Sequence, residues 1–141
     1  MPNIVPQLKA GGDVYPSRFV KMSAAADFTL LQADANAEVI GIAQEGSKQP
    51  PLSDLVSGTP KAAEDGDPLH IYTAGDVVLL ECGDNVTRGE LLKSDADGKG
   101  VPVAATGTVI QNYGAIALQN GADGEKILVQ ARFGKVRPAL T

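Results

Sequence analysis

Tryptophan is absent, and three Phe and three Tyr supply nearly all the ring surface of the chain. A core must therefore be filled by Val, Ile, Leu and Ala. The aromatic platforms on which single-stranded nucleic acid and sugars usually stack are scarce. The single cysteine, Cys82, excludes an internal disulfide, and the single histidine, His70, excludes any site built on two imidazoles. Cations are outnumbered, 12 Lys and Arg against 17 Asp and Glu, for a net charge of −5. Such a domain repels phosphate, which disfavours direct binding to DNA or RNA. No apolar run approaches the roughly 20 residues of a bilayer span. Residues 1–12 lack the pattern of a secretory signal. Synthesis in a cytosol, with no encoded route out of it, is the expectation.

What is present points to one all-β domain. A length of 141 residues suits a single domain, and 43% hydrophobic residues are enough for a core. Sixteen Gly and nine Pro are spread along the chain and interrupt every long segment. Gly-Asp or Asp-Gly pairs recur at 12–13, 65–67, 75–76, 83–84, 97–98 and 123–124. They are turn signals, because Gly tolerates positive φ and Asp bonds its own backbone. Short β-prone runs lie between them, the rhythm of a sandwich or barrel. Residues 39–44 and 77–80 are apolar on both faces, as in a closed core. Residues 126–133 alternate: Ile127, Val129, Ala131 and Phe133 face one way, Lys126, Gln130 and Arg132 the other, with Leu128 as the exception. Weaker strand candidates are 18–23, 28–32, 69–73, 90–94, 101–105, 107–110 and 113–118. VIGIA (39–43) echoes YGAIA (113–117), which two strands of similar role explain and a duplicated half-barrel would also explain.

Two segments are irregular. Residues 1–13 combine Pro2, Pro6 and a Gly pair with Ile4, Val5 and Leu8. They read as an extended arm with apolar teeth, ahead of a barrel at 14–141 whose core strands lie beyond Val14. Loss of residues 2–10 is then expected to leave the barrel folded. Residues 46–68 carry Pro50, Pro51, Pro60 and Pro68, and a connection of this length is usually functional or mobile. Ile4, Val5, Leu8 and Lys9 are the first candidates for contact with a neighbouring subunit. The loop residues Pro50, Pro51, Leu52 and Leu55 are the second.

Motifs for chemistry are thin. DADG (95–98) begins like a calcium loop, but the later acidic ligands are missing, so a hairpin turn is expected. Glu64, Asp65 and Asp67 sit in a Gly/Pro loop, where a solvated turn is expected instead of a carboxylate pair with one raised pKa. His70 has no G-x-S-x-G elbow to serve, although a small hydrolase using it with a nearby carboxylate is a rival reading. Cys82 ends an apolar run and is expected to be buried. No P-loop or dinucleotide fingerprint occurs. No cofactor, metal or catalytic residue is expected. The run GDNVTRGELL (83–92) resembles the turn of biotinyl and lipoyl carrier domains, with Val86 and Leu91 or Leu92 plugging the core. A carrier also needs an exposed hairpin lysine, and Lys21-Met22 sits inside a strand-like run.

Ordered pieces of the last two-thirds carry a wider likeness: VIGIAQEGS (39–47), AEDGDPL (63–69), AGDVV (74–78), NVTRGELLKSDADG (85–98), GAIAL (114–118) and GADGEKILVQ (121–130). In order and spacing they resemble the small decoration, or cement, proteins of tailed-phage heads. The resemblance implies a compact β-barrel or β-tulip. It also implies homotrimers on the outer surface of the shell, at three-fold or quasi-three-fold positions, binding the major capsid protein. A non-viral carrier or protein-binding barrel is the alternative.

Overall fold

The computed structural model describes residues 8–43, 63–103 and 109–136. Among them the chain is all-β, as the turn-and-run rhythm indicates. Ten strands occur in the order β1 (Lys9–Ala10), β2 (Phe19–Met22), β3 (Thr29–Gln32), β4 (Gly41–Ala43), β5 (Ile71–Tyr72), β6 (Val77–Glu81), β7 (Leu91–Ser94), β8 (Gly100–Pro102), β9 (Gln111–Ala117) and β10 (Lys126–Val136). They form two five-stranded sheets, β1-β3-β2-β4-β5 and β6-β10-β9-β7-β8. Pairing is antiparallel except between β1 and β3. The second sheet bends back on itself, because Cys82, just past β6, makes a parallel bridge to Gly100 of β8.

The first sheet has a core on each side. Phe19 and Ile42 point into the larger cluster, with Val78, Leu80, Leu92, Ala115, Ile127 and Val129 of the second sheet. Their strand neighbours Val20 and Ala43 point the other way, into a smaller cluster with Ala10, Val14, Leu30, Ala63 and Leu69. Alternation of side chains along a strand produces this division. It bears out the reading of 39–44 as apolar on both faces over 41–43, since Gly41, Ile42 and Ala43 are all buried; Gln44 lies outside the described residues. The same reading fails at 77–80. Val78 and Leu80 are buried, but Val77 is 55% and Leu79 46% exposed, because nothing among the described residues covers the outer face of the second sheet.

Sheet pairing begins earlier than the expected start near Val14. Lys9 and Ala10 are β1, and Ala10 is buried in the smaller cluster with Leu8 packed against it. The Ala10 N–H donates to Asp67, the Leu69 N–H to Leu8, and the Gly66 N–H to Ala10. The last residues of the presumed arm are thus part of the first sheet.

One turn recurs four times, at 64–67, 73–76, 87–90 and 122–125. Each has Gly third, at φ 86, 93, 88 and 88, and an acid fourth. The fourth N–H donates to the first carbonyl at 2.9–3.1 Å. The acid's carboxylate accepts the first residue's N–H in return: Asp67 from Glu64, Asp76 from Thr73, Glu90 from Thr87 and Glu125 from Ala122. This is why Gly-acid pairs punctuate the sequence, and it places Glu64, Asp65 and Asp67 in an exposed turn as expected. DADG is likewise the β7–β8 hairpin turn, with Asp95 accepting the Asp97 and Lys99 N–H groups. Gly89 has open space where a Cβ would lie, so Gly89→Ala tests the backbone alone. A loss of about 1–2 kcal/mol on urea denaturation is expected. Unchanged stability would show that the left-handed conformation at Gly89 is not required.

Candidate subunit-contact surface

β6 and β10 pair in the register Leu80↔Ile127, Leu79↔Leu128, Val78↔Val129. Even-numbered β6 residues turn their backbone groups to β10, a pattern continued by the Cys82 N–H donating to Glu125 and the Ala131 N–H to Asp76. Odd-numbered residues turn theirs to the outer edge. There the Glu81 N–H donates to Ser17, whereas the backbone groups of Val77 and Leu79 have no partner among the described residues. β6 is therefore an open edge over these two residues, bordering a shallow groove whose other wall is Ser17, Ala43 and Tyr72.

The outward side chains beside this edge are apolar. Leu79 lies directly across from Leu128, and the Leu118 N–H donates to the Leu128 carbonyl. Leu118 is 46% and Leu128 40% exposed. Farther along the same face, half-buried Ile116 pairs with Gln130 on one side and Leu91 on the other. Two exposed cations, Lys126 and Arg132, sit on the Leu128 face of β10, and neither has an ion-pair partner among the described residues. The result is an apolar stripe with a cationic flank on an acidic chain. Four large apolar side chains contiguous at a surface mark an interaction site more often than chance exposure.

The edge is held in place by charge at its far end. Glu81 contacts Lys99 at 3.3 Å and Arg18 at 3.6 Å, and the Arg18 guanidinium lies 4.9 Å from the Tyr15 ring centre. These pairs tie β6 to the β7–β8 hairpin and to the segment entering β2. Elsewhere, a hydrogen bond from Lys21 holds the Asp34 carboxyl below its usual pKa, and Lys135 does the same for Glu38. Cys82 is buried as expected, and burial, reinforced by Glu125, Asp123 and Glu81, pushes its thiol pKa up. His70 is exposed just ahead of β5. Lys21 lies within β2, opposite Leu31 and bonded to Asp34 at 2.9 Å, which is no hairpin tip for a carried group. No cluster of three His, Cys, Asp or Glu able to hold a metal ion occurs among the described residues.

Of the contact residues expected from sequence, Leu8 and Lys9 fall among the described residues. Leu8 is half-buried against the smaller cluster, and Lys9 is an exposed residue of β1 bridged to Pro68. Ile4, Val5, Pro50, Pro51, Leu52 and Leu55 lie outside the described residues. The stripe of Val77, Leu79, Leu118 and Leu128 was missed. Its sequence signals are Leu128, the residue that breaks the alternation of its strand, and the two-faced apolar run 77–80.

No protein-family model matches the chain, and no curated protein matches it. Its fold is similar to the crystal structure of the N base of the head fiber protein gp8.5 of bacteriophage phi29. That likeness has a TM-score of 0.62 at 13% identity and covers 93% of this chain and 95% of that one.

Proposed function

We propose that this chain is a structural protein of a tailed-phage head, mounted on the outer surface of the shell. The observation that carries the reading is the likeness in fold to a phage head fiber base, which runs over nearly the whole of both chains. The resemblance of the ordered turn-and-strand pieces to head decoration proteins points the same way. In this reading the chain binds the major capsid protein at three-fold or quasi-three-fold positions as a homotrimer, without catalysis. A net charge of −5 suits the outside of a shell better than its DNA-lined interior.

Attachment stabilises a shell only if the protein binds the assembled lattice better than separate subunits, since a ligand shifts an equilibrium by its differential affinity. Three feet on one rigid trimer add avidity to weak individual contacts. Mixing the purified protein with mature heads and sedimenting them tests the reading directly. Saturable co-sedimentation is expected, together with a higher temperature of head disruption. Heads that neither bind the protein nor gain stability would overturn it.

A further inference from the structure

We propose that the open β6 edge, with the apolar stripe of Val77, Leu79, Leu128 and Leu118 beside it, is the contact between copies of this chain. The proposal rests on the homo-oligomer reading above and assigns it a surface. The backbone of Val77 and Leu79, without a partner among the described residues, is a two-residue hydrogen-bonding edge, and left in water such an edge recruits another chain. The four side chains beside it are 40–55% exposed although they are Val and Leu. Interfaces between identical subunits are the more apolar class, resembling a core cut in half.

Charge selects the occupant. Lys126 and Arg132 flank Leu128 on the same face of β10 and have no ion-pair partner among the described residues. A second copy brings the acidic surface they lack: the chain carries 17 acids against 12 cations. Some of those acids project from exposed turns, such as Asp65 and Asp123. An apolar centre with a cationic rim against an acidic neighbour gives both attraction and orientation.

The test compares the full chain with Leu79→Glu and Leu128→Glu by sedimentation equilibrium at micromolar concentration. Met22→Glu serves as a control, because Met22 is exposed on the first sheet, 43%. The wild type and Met22→Glu are expected to associate. The two stripe variants are expected to associate about tenfold more weakly or worse, which is about 1.4 kcal/mol or more. Their circular dichroism should stay as in the wild type, since the replaced side chains already face solvent, and their melting should lose the rise with protein concentration that association gives the wild type. A wild type that stays monomeric would overturn the proposal, and so would stripe variants that keep the wild-type mass. Co-sedimentation with heads separates the two readings: wild-type protein that binds heads while stripe variants keep its mass leaves the head reading standing and removes this surface from it. Variants of unchanged mass that no longer bind heads would give the stripe to another protein.

Discussion

Phe19→Ala is expected to lower the free energy of unfolding by about 3–5 kcal/mol. Phe19 is the largest fully buried side chain among the described residues, and it crosses from the first sheet into the core of the second. Its N–H also donates to Gly98 at the β7–β8 hairpin. The space for its ring is made by Gly114 of β9: a Cβ there would lie 2.6 Å from the Phe19 ring and 2.4 Å from Val39. Truncation opens a cavity where the two sheets join, and the neighbouring strands cannot close it without giving up their pairing. Urea denaturation gives the magnitude. A double-mutant cycle gives the cause: Gly114→Ala should cost less in the Phe19→Ala background than in the wild type, with the Val39 contact setting what remains. A loss under about 1 kcal/mol for Phe19→Ala would mean that the sheets are not joined through this residue.

Deleting residues 2–10 is expected to destabilise the domain by about 2–6 kcal/mol, contrary to what the arm-like composition suggests. The deletion removes at least four backbone hydrogen bonds, made by Leu8, Lys9 and Ala10 to Leu69, Phe28, Asp67 and Gly66, together with the β1–β3 register. Each is worth about 0.5–1.5 kcal/mol net. It also uncovers Leu30 and Leu69 in the smaller cluster. Deleting residues 2–7 spares these contacts, so the difference in melting temperature between the two truncations isolates β1. Equal melting temperatures would show that β1 contributes nothing to stability.

The all-β class was legible because turn chemistry is local: a Gly of positive φ with an acid beside it announces itself in any sequence. Burial on one face was legible for the same reason in 126–133, where alternation is plain. Residues 39–44 and 77–80, however, carry the same apolar pattern and meet different fates. Gly41–Ala43 is covered on both sides, and Val77–Glu81 on one. An apolar run states that two faces avoid water and leaves unstated whether the second cover comes from the same chain. Sheet order was illegible, since β6 pairs with β10 and not with its sequence neighbours. The N-terminal segment misled because Pro and Gly hide a two-residue strand whose partners, Thr29 and Pro68, are far along the chain.

The fourfold turn has a consequence for exchange with solvent. In each copy the glycine N–H reaches out of the turn to a carbonyl far away: Gly66 to Ala10, Gly75 to Ala131, Gly89 to Ala117 and Gly124 to Cys82, all at 2.7–2.8 Å. Loop amides usually exchange at open-chain rates because their hydrogen bonds open locally. Here the amide at the tip of an exposed loop can exchange only when a bond to a buried residue breaks. Deuterium uptake should therefore be slow at these four glycines and fast at Asp65, Ala74 and Asp123 just before three of them, whereas the Arg88 N–H before Gly89 is held by the Asn120 side chain. The loops behave as rivets, and a protease testing the surface of this domain would find its most solvent-exposed bends among its least yielding points.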